Sequence, residues 1–519
     1  MGLLVYKGGP VSNPTSYTLY TTANGLPSNN VTGIESYDLK TTWVTTAAGI
    51  VKMEESFLPN PNGWRFSNSR TNMWPMSLWA AYDYNFDPYL GGTAPFPLNG
   101  GNVIASSSFP DWPLFVDLLG EDQCYFVSGG VKYVRTLARN KYFAMIGNWG
   151  GSCQGFVETS FMVWDSIDYF RNKYPAVGPW TSDRLYDLPI NDENRKVINK
   201  LMISQNQTPY YAFSNSRINV TPNQTLADLK VMLKSDTKNL KGLNLYNQHG
   251  KGAHIVNPYK VTKDPVEPDL EYIYVYDNNF PNDTTRKVWI NTAQNAWYYN
   301  LSVNSGVASR EWGGPDCHKG LNLDTTVRYW YQPIALGNIG KKQPMKLLPA
   351  TGTIEVYNSD SCDISIANSS GQNIGCVGGT IMNTIPNALA LRYFSLDELS
   401  PKGYFLPDNQ YDAEMRSFSK QSVRFTVFNA TTSYEYTRSG TSLDQKDRIH
   451  IGAGGIQVKN PDNAPKSINL SCTFEDAGSE MRVEIRNIGS QTNVITEIQR
   501  FNNSEVKLFN TTIYDINFL

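Results

Sequence analysis

Charge is scarce in this chain. Only 18% of its 519 residues are Asp, Glu, Lys or Arg, and 45 basic residues nearly cancel 47 acidic ones, giving a net charge of -2. Without a basic excess there is no electrostatic case for a polyanionic partner, so neither nucleic acid nor an anionic membrane surface is expected to bind. Long apolar runs are missing as well. No stretch approaches the roughly eighteen residues that a spanning helix needs, and no membrane span is expected. The opening Met1-Gly2-Leu3-Leu4-Val5-Tyr6-Lys7 lacks both a charged leader and an adequate apolar stretch, so no signal peptide is visible, and Tyr6 departs from the myristoylation pattern. Either the chain is intracellular at birth, or Met1 is not the natural start and a longer secreted precursor was trimmed. Six cysteines, spread thinly, exclude a disulfide-dense scaffold.

What is plentiful points toward β structure. Low charge together with 13% aromatics and many Asn, Thr and Ser residues suits extracellular β-rich proteins, and eleven Asn-x-Ser/Thr sequons, among them Asn219, Asn223, Asn300, Asn429 and Asn510, agree with that. The expected location is extracellular or the cell surface, for a glycosylated protein. At 519 residues the chain exceeds one ordinary core, and about three domains are expected.

The last domain, residues 346–519, reads as an all-β sandwich that folds by itself. Thr353-Ile-Glu-Val-Tyr357, Val423-Arg-Phe-Thr-Val427, Met481-Arg-Val-Glu-Ile485 and Val494-Ile-Thr-Glu-Ile498 alternate as half-buried strands do, and helix signals nearly vanish. Cys362 and Cys376 bracket a hairpin with a Ser-Ser-Gly turn, across which a disulfide is geometrically credible; two thiols in neighbouring strands is the other reading. His450 stands alone in Arg448-Ile-His-Ile451 and reads as structural. The domain is expected to be a binding or spacing module.

At the other end, residues 1–55 carry Thr22-Ala-Asn-Gly-Leu-Pro-Ser-Asn-Asn-Val-Thr-Gly-Ile34 and then Thr42-Trp43-Val44-Thr45-Thr46. The segment resembles one blade repeat of the sensor-type β-propellers of bacterial two-component regulators, with an Asn24-Gly25 turn and strands alternating around Trp43. One copy cannot close a propeller, so it must pack elsewhere or pair with a partner chain. Residues 56–150, rich in Trp, Tyr, Pro and Gly, read as an irregular lead-in, exemplified by Asn72-Met73-Trp74-Pro75-Met76-Ser77-Leu78-Trp79.

The middle domain, residues 56–345, holds the candidate chemistry. Gly150-Gly151-Ser152-Cys153-Gln154-Gly155-Phe156 sets a lone cysteine ahead of a helix whose apolar positions repeat at three and four residues up to Phe170. At a helix N-terminus the dipole and the unpaired N–H groups favour a thiolate. Further helices are expected after Asn191-Asp192 and from Thr225. Next come Gly252-Ala253-His254, opening a strand, and Tyr272-Ile273-Tyr274-Val275-Tyr276 running into Asp277. By default Asp277-Asn278-Asn279 before Phe280-Pro281 is a turn. Cysteine, histidine and carboxylate in this order also make a nucleophile, a base and an orienter.

These residues resemble the papain-like cysteine peptidases, particularly bacterial members near the leader-processing peptidases, over roughly residues 60–345. The strands Lys287-Val-Trp-Ile-Asn291 and Asn295-Ala-Trp-Tyr-Tyr299 share the resemblance. It implies an α+β fold of two lobes, helical and then antiparallel β, with Cys153 as nucleophile, His254 as base and then acid, and Asp277 as orienter. Asn278 and Asn279 are alternative orienters. The family's oxyanion glutamine has no counterpart at its usual place, which leaves Asn148 and Gln154 as candidates. No cofactor or metal is expected: Asp277, Asn279, Asn282 and Asp283 carry calcium-type oxygens but lack the glycine and distal glutamate of a recognisable loop. Two function classes follow. One is an extracellular cysteine hydrolase of peptide or amide bonds, acting on a peptide or protein substrate; the other is a surface or assembly protein whose terminal β modules bind protein partners around an inactive scaffold.

Overall fold

The computed structural model describes residues 2–6, 17–38, 41–54, 56–73, 108–109, 112–145, 147–148, 151–180, 182–206, 217, 219–235, 240–247, 252–300, 312–324, 347–359, 362–377, 380–391, 403–418, 420, 422–439, 442–452, 454–476, 479–501, 505–509 and 515–518. It is mostly β, 45% strand against 22% helix, in several sheets. The chain divides into two compact units: Met1–Leu58 with Val231–Leu240, and Pro59–Lys230 with Lys241–Leu519.

In the first unit β1 (Leu3–Tyr6) pairs with β2 (Tyr17–Tyr20), and β3 (Val31–Asp38), β4 (Thr41–Thr46) and β5 (Gly49–Glu54) form a meander. Asn24 accepts the Thr21 N–H at 2.5 Å, and Gly25 takes a φ of 124°, where a side chain would be strained. Val44 is fully buried with Leu3 and Leu26. Because strand side chains alternate, Trp43 lies on the opposite face and is 43% exposed, so the packing here is organised around Val44.

The main helices of the second unit are α1 (Trp112–Leu119), α2 (Thr136–Met145), α3 (Cys153–Asp165), α4 (Ile167–Lys173) and α5 (Asp192–Met202), with α6 (Pro222–Ser235) as far as Lys230. Short pairs flank them, β6 (Ser108–Phe109) with β9 (Gly147–Asn148) and β7 (Tyr125–Ser128) with β8 (Val131–Val134). The stretch expected to be an irregular lead-in therefore contains α1 and α2, with shorter helical turns at Pro59–Asn62, Arg70–Met73 and Glu121–Cys124; of Asn72 to Trp79, only Asn72 and Met73 fall within the described residues.

Helix α3 is the axis of this region. Every residue from Cys153 to Trp164 is buried. The single helix expected up to Phe170 breaks at Ser166, whose extended backbone (φ -160°, ψ 101°) and hydroxyl, accepting the Tyr169 N–H at 3.2 Å, start α4. Serine competes with helix continuation in this way wherever it can cap. Helix α5 crosses α3 at Gly155, where an added Cβ would stand 1.9 Å from the Ile198 carbonyl oxygen. Asn191 caps α5 as expected, exchanging bonds of 2.8 and 3.0 Å with Asn194. Helix α6 starts three residues before Thr225. Pro222 is preorganised for a first helical position after Thr221, and the Thr225 hydroxyl turns inward to donate to the Leu321 carbonyl at 2.8 Å.

A seven-stranded antiparallel sheet follows, built from β10 (Gly242–Tyr246), β11 (Ala253–Lys263), β12 (Leu270–Tyr276), β13 (Lys287–Asn291), β14 (Ala296–Tyr299), β15 (Trp312–Gly313) and β16 (Leu321–Asp324). Its order is β15-β14-β13-β12-β11-β10-β16. Strands β10, β14 and β16 are buried throughout, and α3 lies against β11.

The rest of the unit is two eight-stranded antiparallel sheets. One uses β17 (Thr353–Asn358), β21 (Leu389–Leu391), β22 (Gly403–Pro407), β24 (Val423–Phe428), β25 (Thr432–Arg438), β28 (Lys466–Asp476), β29 (Ser479–Ser490) and β32 (Asp515–Phe518). The other uses β18 (Cys362–Asn368), β19 (Asn373–Val377), β20 (Thr380–Asn383), β23 (Tyr411–Ser417), β26 (Lys446–Gly452), β27 (Gly455–Lys459), β30 (Ile495–Arg500) and β31 (Val506–Phe509). A single apolar core joins Val356, Phe425 and Leu470 of the first sheet to Ile364, Ile449 and Ile498 of the second, which makes a β-sandwich. Cys362 and Cys376 are both reduced thiols. The register sets Ile364 opposite Cys376, so the two cysteines are diagonal neighbours. That spacing, about 7–8 Å, exceeds what a disulfide spans.

The boundary expected near residue 345 is bridged. Helix α2 lies on the sandwich, where Lys141 Nζ meets Glu355 Oε2 at 2.5 Å and the Leu347 carbonyl at 3.1 Å, and all of these are buried. Asn140 joins Ser433 (3.1 Å), Thr473 (3.2 Å) and Arg482 (2.9 Å). The Glu480 carboxylate accepts the first N–H groups of α2, at Thr136 and at Leu137 (3.0 Å), a favourable place for an anion. Polar groups buried on both sides tie the sandwich to the helices within one compact unit.

Candidate active site

Three elements converge on Cys153. It is the first residue of α3, preceded by Gly151 at a φ of 137°. A side chain at Gly151 would collide with Asn68, whose Oδ1 accepts the Ser152 N–H at 2.6 Å. The Ser152 hydroxyl donates to Asn199 Oδ1 at 2.6 Å, so the helix start is fastened to both the lead-in and α5. The cysteine is 3% exposed.

His254 is the second residue of β11, held in register opposite Leu245. Its Nε2 lies 2.9 Å from Asp277 Oδ1, and its ring is also hydrogen-bonded to the Cys153 side chain. With Nε2 engaged, Nδ1 is the nitrogen left for the sulfur. Asp277 directly follows β12, and β11 pairs with β12 through Asn257 and Tyr276, so neighbouring strands deliver the ring and its carboxylate. Asp277 also makes the expected turn: its Oδ1 accepts the Asn279 N–H at 2.9 Å and its carbonyl the Phe280 N–H at 2.9 Å. On the other side, Oδ2 accepts from Arg286 Nη2 at 3.3 Å and from the Tyr299 hydroxyl.

Burial pushes the imidazole toward neutrality, yet the Asp277 charge and hydrogen bond, with the Cys153 contact, outweigh it and raise the His254 pKa from 6.5 to about 10. Burial likewise pushes Asp277 up, but His254, Arg286 and Tyr299 hold it well below the usual carboxylate range. The linkage has a definite sign. The raised histidine contributes stability in full below 6.5 and loses it as pH rises toward 10; the depressed aspartate contributes above 3.8 and loses it on acidification. Asp277→Asn should therefore cost most stability between those two values and progressively less toward pH 10. Urea melts of both proteins across this range test it, and a penalty independent of pH would refute the coupling.

The alternatives weighed in the sequence go elsewhere. Asn278 donates to the Ile255 carbonyl (3.2 Å) and the Cys153 carbonyl (3.5 Å), stitching α3 to β11 without touching the ring. Asn279 Oδ1 accepts from Asn68 Nδ2 at 3.1 Å. Gln154 is fully buried and donates to Glu158 Oε1 at 2.8 Å one helical turn on. Asn148 lies in β9 opposite Ser108, and its side chain is outside the described residues. The calcium-type set does not converge: Asn282 accepts from Tyr186, and Asp283 Oδ1 accepts from Thr285 at 2.9 and 2.6 Å. Among the described residues no group of three or more His, Cys, Asp and Glu side chains is placed to hold a metal ion. None of their helices is long and apolar enough to cross a membrane. No protein-family model, curated protein or solved structure matches the chain.

Three positions were not anticipated. Asn68 holds the Ser152 N–H, and its own N–H donates to the Asn278 carbonyl at 2.7 Å, yet nothing local in Phe66-Ser67-Asn68 marks it. Arg286 and Tyr299 sit in segments whose strands were read for pattern alone, although an arginine just ahead of a buried strand was a usable signal. His450, read as isolated, pairs with Asp412 Oδ1 at 2.8 Å on the outer face of the sandwich. Cross-strand register, invisible in sequence, puts them side by side.

Proposed function

We propose that the chain is a papain-like cysteine hydrolase of peptide or amide bonds that works at the cell surface or outside the cell. The observation that carries this reading is the set of contacts at the head of a buried helix: His254 is hydrogen-bonded to the Cys153 side chain and, through Nε2, to the Asp277 carboxylate. Helices preceding an antiparallel sheet, with the site where α3 meets β11 and the end of β12, support a two-lobed arrangement of the papain kind.

In this mechanism the proton of the Cys153–His254 couple rests on the ring, whose pKa is raised to about 10, and the thiolate sulfur attacks the carbonyl carbon. The resulting oxyanion is held by the Cys153 backbone N–H, with Asn148 or Gln154 as the side-chain candidate. The tetrahedral intermediate collapses as His254 gives its proton to the departing amine. Water then enters, surrenders a proton to His254 and releases the acid, which restores the thiolate beside the protonated ring. Throughout, Asp277 keeps its charge and orients the ring. No cofactor takes part. The sandwich and the N-terminal strands serve as modules toward protein partners.

A competing reading is favoured by one observation, the 3% exposure of Cys153: an inactive scaffold with a packed thiol in a surface or assembly protein. Native protein treated at neutral pH with iodoacetamide or an epoxide probe, followed by peptide mapping, decides between them. The hydrolase reading expects Cys153 to be labelled well ahead of Cys124 and Cys472. Labelling of Cys153 no faster than in denatured protein would leave the scaffold.

A further inference from the structure

The Asp277 carboxylate is saturated. Oδ1 accepts from His254 Nε2 and the Asn279 N–H, both at 2.9 Å, and Oδ2 accepts from Arg286 Nη2 at 3.3 Å and from the Tyr299 hydroxyl. An ionised carboxylate has about four acceptor sites, so none remains for a proton from substrate or water. The outer pair of donors is itself fixed. Arg286 Nη2 donates to the Asn300 carbonyl at 2.5 Å, its guanidinium stands 4.2 Å from the Phe280 ring centroid, and Tyr299 is 1% exposed.

We propose that Tyr299 and Arg286 are positioning residues of the Cys153–His254 couple, clamping Asp277 as an anion in the orientation that turns the free nitrogen of His254 toward the sulfur. This rests on the cysteine-hydrolase reading. The charge count shows what Arg286 adds. With Asp277 negative and Arg286 positive, the buried cluster is neutral when thiol and imidazole are uncharged, and it stays neutral after a proton moves from sulfur to ring. Without Arg286 both states would carry a buried net charge of one sign, which is costly. Tyr299 has a different part. Burial raises its pKa well above 10, so it remains a proton donor wherever the site operates. The groups facing Asp277 are His254 on β11, backed by Cys153 on α3, Tyr276 at the end of β12, Arg286 ahead of β13 and Tyr299 on β14; the Tyr276 hydroxyl is committed to the Trp64 carbonyl at 2.9 Å.

The test is the rate of Cys153 alkylation by iodoacetamide from about pH 4 to about pH 10 in wild type, Tyr299→Phe, Arg286→Gln and Arg286→Lys, which needs no known substrate. Without a donor Asp277 holds the ring less firmly and the thiolate–imidazolium pair loses support, so the acid limb of the profile should move up by about one pH unit in Tyr299→Phe and at least as far in Arg286→Gln. Arg286→Lys, which keeps the charge and loses the fork, should fall between wild type and Arg286→Gln. Variants with lower melting temperatures but profiles superimposable on wild type would show Tyr299 and Arg286 to be structural only, with the hydrolase reading intact. A wild-type thiol that alkylates no faster than in denatured protein would overturn both.

Discussion

Replacing Cys153 by alanine is expected to lower turnover by on the order of 10⁵-fold or more, since a nucleophile that acts as a unit with its base leaves only binding and oxyanion contacts behind. His254→Ala should give a comparable loss and should also bring Cys153 alkylation at neutral pH down to that of an ordinary thiol. Stability alone does not separate catalyst from scaffold. A thiol that is 3% exposed packs in either case, so Cys153→Ala should cost about 1 kcal/mol under both readings. The decisive comparison is the alkylation rate of wild type against His254→Ala, with Cys153→Ala as the labelling control. Equal rates in the first two would mean that the imidazole does nothing for the sulfur, and the enzyme proposal would fail.

The second large effect lies far from the thiol. Lys141→Ala would leave Glu355, 5% exposed, with the Tyr357 hydroxyl at 2.9 Å as its side-chain partner among the described residues, inside a core already lined by Phe428. Breaking a buried pair from one side costs about 3–5 kcal/mol, because the surviving charge cannot be rehydrated. Urea denaturation should show that loss, and the double variant Lys141→Met with Glu355→Leu should recover most of it. The same reasoning covers the sandwich expressed by itself. A fragment starting near residue 345 leaves Glu355 and Arg482 without Lys141 and Asn140, so it should be markedly less stable than one that also carries residues 112–145. A loss under about 1 kcal/mol in Lys141→Ala would mean that the Lys141–Glu355 pair adds little net stability to the joint between helix and sandwich.

Local signals in the sequence were enough for much of the middle region. Gly151 before Cys153, the three-and-four spacing of Val157, Phe161 and Trp164, and the Asn191 cap each act within a few residues, where backbone geometry and helical period dominate. The strands β12, β17, β24, β29 and β30 were legible for the same reason. Asp277 does two things at once: it makes the turn that its neighbours announce, and the same Oδ1 is hydrogen-bonded to His254.

Tertiary structure alone decided which residues stand behind the carboxylate and what covers the sandwich. Arg286 and Tyr299 reach Asp277 because β12, β13 and β14 lie side by side, and Gln154 turns to Glu158 because the helix start is buried rather than open. Lys141 finds Glu355 across 214 residues of chain. Such pairings depend on strand order, register and helix crossing, which are set by the collective burial of apolar surface, and no window of neighbouring residues encodes them.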